Sequence, residues 1–167
     1  MVDIKYSIVN DTCDPDSFGM EGFFQFICNG KSYGNFYSGS LEKVMWTVSV
    51  FDWFERILTV VIELKKKDYV ILSDTESINT WIEFDKRGCN IVVIGIIHLT
   101  KLPGSKAIEY AEYMNNMQKE YIRWYGESVS YEEFKDAVVT KAIAYCNYLK
   151  QNHCKKWIAI HKLIRQL

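Results

Sequence analysis

No Gly-x-Ser-x-Gly elbow on a strand-to-helix turn occurs in this chain, since the one such spelling, Gly30 to Gly34, opens the returning arm of a hairpin, and no glycine-rich strand-to-helix loop is present. The first absence speaks against a serine nucleophile raised on a sharp turn, the second against a phosphate cradle. Gly30, Gly34 and Gly39 lie near one another, but around a hairpin and its exit. No acidic loop has the glycine and terminal glutamate of an EF-hand. No CxxC pair occurs among the five cysteines, no uncharged run reaches the ~18 apolar residues of a membrane span, and no recognised RNA- or DNA-binding module is present. The formal net charge is −1, so the molecule as a whole exerts no long-range pull on nucleic acid or membrane. Internal repeats and low-complexity segments are also missing.

What is there describes one globular domain. The 167 residues are enough to bury a core without staples, and 49% hydrophobic with 25% charged is an ordinary balance. Aromatics are plentiful, with 5 Trp, 11 Tyr and 9 Phe. Such a surplus serves either a large aromatic core or an interface, where Tyr and Trp offer large area at low entropic cost. Charge is unevenly spread. Residues 1–80 carry 12 acids against 7 bases, and residues 81–167 carry 9 acids against 13 bases. Cys13, Cys28, Cys89, Cys146 and Cys154 are odd in number, and the start of the chain lacks a basic-then-apolar leader. Free thiols in a reducing cytoplasm are the simplest expectation.

Alternation predicts a strand over 4–8, and residues 23–28 read as a second. Asn29-Gly30 follows at once, the most favoured two-residue hairpin turn, so 31–34 should begin a returning strand. Ser40 is placed to cap a helix starting at Leu41, although residues 47–50 lean towards strand. From Phe51 the helical face is continuous through Phe54, Ile57, Leu58, Val61 and Ile62. Lys65, Lys66 and Lys67 stand where that helix ends and its dipole is negative, which explains them without nucleic acid. Residues 69–72, 78–84 and 91–97 read as strands, the last apolar on both faces and so central. Ile108, Ala111, Met114, Tyr121 and Ile122 suggest a helix closed by Gly126. Ser130 and Glu133 form a capping box for another helix, and Trp157 to Ile164 is the last. The expected fold is therefore α+β: a mainly antiparallel sheet with one long packed helix over 1–100, then a helical region over 104–167, in a single domain 1–167.

The search for chemistry yields no catalytic, cofactor-binding or metal-ligating set. Cys146, His153, Cys154 and His161 are the only clustered soft ligands, and two helices would have to converge to make zinc of them. Buried thiols and surface imidazoles explain them better. Cys89 and His98 flank one strand at odd spacing and point to opposite faces. His98 reads as a structural histidine. Asp11, Asp14 and Asp16 crowd one loop, and Asp74 and Glu76 share a turn. They are either solvated turns or an acidic patch that meets a basic protein. Lys150, Lys155, Lys156, Lys162 and Arg165 gather near the C-terminus, interleaved with His153, Trp157 and His161, and read as the outer face of a packed helix.

Residues 21–100 carry a layout of their own. Gly22-Phe23-Phe24-Gln25-Phe26-Ile27-Cys28-Asn29-Gly30 is followed by an apolar helix, then Ser73-Asp74-Thr75-Glu76. Thr80-Trp81-Ile82-Glu83-Phe84 and a turn at Gly88 then lead into a very apolar strand. This layout resembles the immunity proteins found beside polymorphic toxins, including those of contact-dependent growth inhibition systems. It covers about half the chain, and the helical remainder is not placed by it. The resemblance implies a bacterial cytoplasmic protein that is not an enzyme and binds one cognate toxin domain, often a nuclease. It implies no cofactor, membrane or direct nucleic-acid contact, and a homodimer stays open. Against a nuclease, acids would stand in for phosphates, so the expected partner-binding residues are Asp11, Asp14, Asp16, Glu21, Asp74 and Glu76. Trp81, on the strand face opposite Ile78 and Ile82, is either an exposed aromatic anchor or buried under helices that cover that face. A small enzyme assembled from scattered residues and a nucleic-acid-associated regulator are the alternatives.

Overall fold

The computed structural model describes residues 1–10, 21–37, 47–74, 76–88, 90–115 and 117–167. Asn29 and Gly30 both take positive φ, 48° and 80°, which is what a two-residue hairpin turn with the strands' own twist requires. They join β2 (Glu21–Cys28) to β3 (Lys31–Asn35), and β1 (Val2–Asn10) pairs with the other side of β2. A two-residue strand, β4 (Val48–Ser49), pairs with the start of β2 and completes a first antiparallel sheet. Ser49 then caps α1 (Val50–Glu63) by accepting from the Asp52 N–H at 3.2 Å. The strand-leaning residues before the helix are thus a strand, and a cap at Ser40 with a helix from Leu41 to 46 lies outside the described residues.

The second sheet is also antiparallel. β5 (Tyr69–Ser73), β6 (Thr80–Arg87) and β7 (Ile91–His98) are sequential neighbours. The apolar run 91–97 is central as expected, because β10 (Glu127–Ser130) and β9 (Glu120–Tyr121) pair with its other side. β8 (Ile108–Tyr110) pairs with β5 and extends the sheet beyond it. Among the described residues the chain therefore makes ten strands and three α-helices in an α+β arrangement.

The region from 104 to 130 corrects the expectation of continuous helix. It holds β8, a short 3-10 turn over Ala111–Met114, β9 and β10. The helices begin only with α2 (Tyr131–Gln151), followed by α3 (Trp157–Ile164). Ser130 caps α2, accepting from the Glu133 N–H at 3.1 Å. The Glu133 carboxylate turns away from the capping box and meets the N-terminal ammonium at 2.9 Å instead.

Aromatic side chains join the two sheets and the helices. Phe26 of the first sheet, Phe84 of the second and Phe134 of α2 meet with ring centroids 5.3–6.3 Å apart. Phe54 of α1 stacks on Tyr145 of α2 at 4.7 Å and meets Tyr6 of β1 edge-on at 5.0 Å. Much of the aromatic surplus is thus core, while Phe36, Tyr37, Tyr121 and Tyr125 stay exposed. α3 lies along α1 in the same direction: Lys156 sits over the Phe51 ring at one end, and at the other Lys65 donates to the carbonyls of Gln166 and Leu167. The thiol expectation needs one correction: Cys28 and Cys146 are free, but Cys154 is disulfide-bonded. Among the described residues no helix is long and apolar enough to cross a membrane.

Candidate functional site

Where the ends of the two sheets meet, a cleft of about 110 Å³ opens to the surface. Its floor is aromatic. Phe24 of β2 stacks on Trp53 of α1 with centroids 5.0 Å apart and planes 8° from parallel, and Tyr33 of β3 meets Trp53 edge-on. Its wall is acidic. Asp74, just past β5 and only 8% exposed, takes a hydrogen bond from the Tyr33 hydroxyl on Oδ2 and another from the Glu76 N–H on Oδ1 at 2.8 Å. Glu76 is exposed at the rim. The Tyr33 hydroxyl is pushed far above the ordinary tyrosine range, first by burial and then by its hydrogen bond to the Asp74 carboxylate. Arg123, from the stretch between β9 and β10, lies over the Tyr33 ring at 5.3 Å. Its neighbour Trp124 anchors that stretch by donating Nε1–H to the Ser32 carbonyl at 3.3 Å.

The expected acidic residues are only partly brought together. Asp74 and Glu76 share the cleft. Glu21 is exposed and lies next door, since it pairs with Ser49 and the adjacent Val48 lines the cleft. Asp11, Asp14 and Asp16 lie outside the described residues. Trp81 is elsewhere and presents no exposed anchor: it is 0% exposed, and its indole N–H donates to the Leu99 carbonyl at 3.0 Å. The cover is not a helix face but the stretch after β8, whose Tyr113 ring lies 5.5 Å from the indole. Tyr113, Met114 and Met117 close a small second core over Ile71, Trp81, Ile97 and Leu99.

Under the same cover lies a group that sequence reasoning missed. Glu83, on the Trp81 face of β6, is 2% exposed. Its carboxylate accepts from Tyr69 at 2.5 Å, from Tyr121 at 2.7 Å and from the Lys119 ammonium. Tyr121 is pushed up to about 12: burial raises it, Lys119 pulls it down, and the Glu83 hydrogen bond and charge raise it further. Burial pulls Lys119 down, but its bonds to Glu83 and Tyr121 outweigh that and leave it raised. A carboxylate with three donors, one of them a cation, is well satisfied and acts as a tie between the sheet and the stretch that covers it. The one signal available beforehand was an acid in the middle of an otherwise apolar-faced central strand.

Other candidates are placed as follows. Burial raises the Cys28 thiol to about 11, which keeps it protonated and a poor nucleophile at neutral pH. His98 is exposed at the end of β7, and Cys89 lies outside the described residues. Cys146 donates to the Trp157 carbonyl at 3.5 Å. Among the described residues no three His, Cys, Asp or Glu side chains gather as a metal site. Comparison with family models, curated proteins and solved structures found no match.

Proposed function

We propose that this protein works by presenting a folded surface to another protein, as an immunity protein that binds and neutralises one cognate toxin domain. The observation that carries the reading is the cleft at the seam of the sheets. An acidic wall of Asp74 and Glu76 stands over an aromatic floor, with Glu21 on the neighbouring stretch. Exposed apolar side chains lie on the same segments: Phe36 and Tyr37 directly after β3, and Ile78, 83% exposed, two residues beyond Glu76. Interfaces combine such features, apolar anchors for affinity and charge for approach. An acidic patch suits a basic partner, and a nuclease domain, built to hold phosphates, is one. Neutralisation in this reading is occlusion; the protein makes and breaks no bond, and it acts in the cytoplasm where the toxin domain arrives.

The test is capture of partners from the native host, followed by affinity measurement and growth rescue with the captured domain. A nanomolar complex, with cells expressing the toxin domain protected by this protein, is the expected outcome. Failure to protect against every domain that binds would sink the reading. One observation favours a second reading. Residues 137–167 contain no Asp or Glu but hold Lys141, Lys150, Lys155, Lys156, Lys162 and Arg165. Lys162 and Arg165, towards the end of α3, lie at the same end of α1 as Lys65, while Lys156 sits over Phe51 at the other. A nucleic-acid-associated regulator would use that face, and binding to RNA or DNA that falls steeply with salt would identify it.

A further inference from the structure

The cleft holds a buried carboxylate with no direct ion pair among the described residues. Asp74 is more than nine-tenths buried, yet it belongs to none of the ion pairs among the described residues. Among the described residues its oxygens accept from a hydroxyl and a main-chain N–H, whereas an ionised carboxylate has about four acceptor sites. Lys101 bonds the Asp74 main-chain carbonyl at 2.9 Å and acts on the carboxylate only by attraction at longer range. A buried carboxylate in this condition is stabilised by any cation that can reach it. The space beside it is about 110 Å³, several times the ~30 Å³ share of one liquid water. The rings of Phe24, Tyr33 and Trp53 are among its lining, and a flat cation gains from lying on an aromatic face.

Arg123 shows which cation fits. Its guanidinium already lies over the Tyr33 ring at the mouth of the cleft. We propose that this cleft is a guanidinium-binding pocket: it accepts an arginine side chain of the partner, and Arg123 occupies its mouth in cis until that side chain displaces it. The pocket's natural ligand rests on the reading of a basic protein partner; its chemistry does not. Guanidinium is favoured over ammonium because it is planar, stacks on a ring and presents parallel donors to a carboxylate at its edge. A tethered competitor lowers apparent affinity by the fraction of time it holds the site. Removing it therefore exposes the pocket.

The experiment is an NMR titration of the full chain with methylguanidinium, and with methylammonium in parallel, on the native protein, R123Q and E76Q. Both substituted residues are exposed, so the fold is retained. The expected result is binding by R123Q about tenfold tighter than by the native chain. Shifts should centre on the Trp53 indole, Tyr33 and Asp74, methylammonium should bind more weakly, and E76Q should lose affinity. R123Q binding no tighter than native, shifts elsewhere, or equal response to the two cations would overturn the proposal. Because the probe is a small cation, this outcome is independent of whether a toxin domain is found. A pocket that binds methylguanidinium without any toxin rescue would leave this inference standing and the immunity reading fallen.

Discussion

At the residue scale, a Cβ built on Gly22 would lie 1.9 Å from the Ser7 carbonyl oxygen across the β1–β2 ladder. Both partners are backbone, so neither can swing away. Gly95 offers a contrast: its nearest atoms are ring carbons of Tyr121 and Tyr125 at 3.0 and 3.2 Å, side-chain atoms that need give by only a few tenths of an ångström. Gly22→Ala should therefore cost about 3 kcal/mol, at the upper end of overpacking effects, and Gly95→Ala clearly less. Urea unfolding of the two variants side by side checks this, and equal losses would contradict it. Nothing in the sequence singles out Gly22, because a close approach of two backbones is a property of the register. Trp81 is a related case. Alternation told which face of β6 it occupies, but not that a distant stretch would cover that face. Its burial and the burial of Asp74 depend on partners 32 and 41 residues away.

The elements divide by how locally they are determined. The Asn29-Gly30 hairpin, the periodic face of α1, the alternating strand β6 and the Ser130 cap were legible, because each rests on contacts within a few residues. Residues 104–126 were not. The spacing of Ile108, Ala111, Met114 and Tyr121 suits a helix, yet β5 offers an unpaired edge and the outer face of its sheet needs cover. Pairing Val70 with Tyr110 meets the first need, and laying Tyr113, Met114 and Met117 on that face meets the second. This tertiary demand outweighs local periodicity. The Glu83 cluster fastens the cover, and its protons report on it. Tyr121, with a folded pKa of about 12 against roughly 10 unfolded, contributes stability that is full below pH ~10. That contribution fades as pH rises from there through about 12. The raised Lys119 acts in the same direction. Tyrosinate absorbance should thus show a late-titrating class, and amide exchange at Ile122 and Ile96, which bond across this junction, should quicken with it. In Glu83→Gln the late class should return towards pH ~10, with a stability loss of about 2 kcal/mol for the weakened bonds. An unchanged titration would show that Glu83 is not what raises these tyrosines.

For the whole molecule, the charge distribution matters more than the net charge of −1. The acid-rich first 80 residues supply Glu21 and Glu76 around the cleft, while the acid-free segment 137–167 forms α3 and most of α2. On the proposed reading, the exposed carboxylates around the cleft draw a basic partner from beyond contact distance. Exposed carboxylates act on approach, whereas buried pairs act on residence. Glu21 and Glu76 are exposed, so reversing both to lysine should slow association with a basic toxin domain by about tenfold at low salt while leaving dissociation little changed. Raising salt to physiological strength, where the screening length falls to about 8 Å, should close most of the gap. Rapid-mixing kinetics at several ionic strengths separates the two rates. If the reversal accelerates dissociation and spares association at every salt concentration, the two carboxylates are contact residues of a closed interface. The acidic cleft would then bind its partner without steering it.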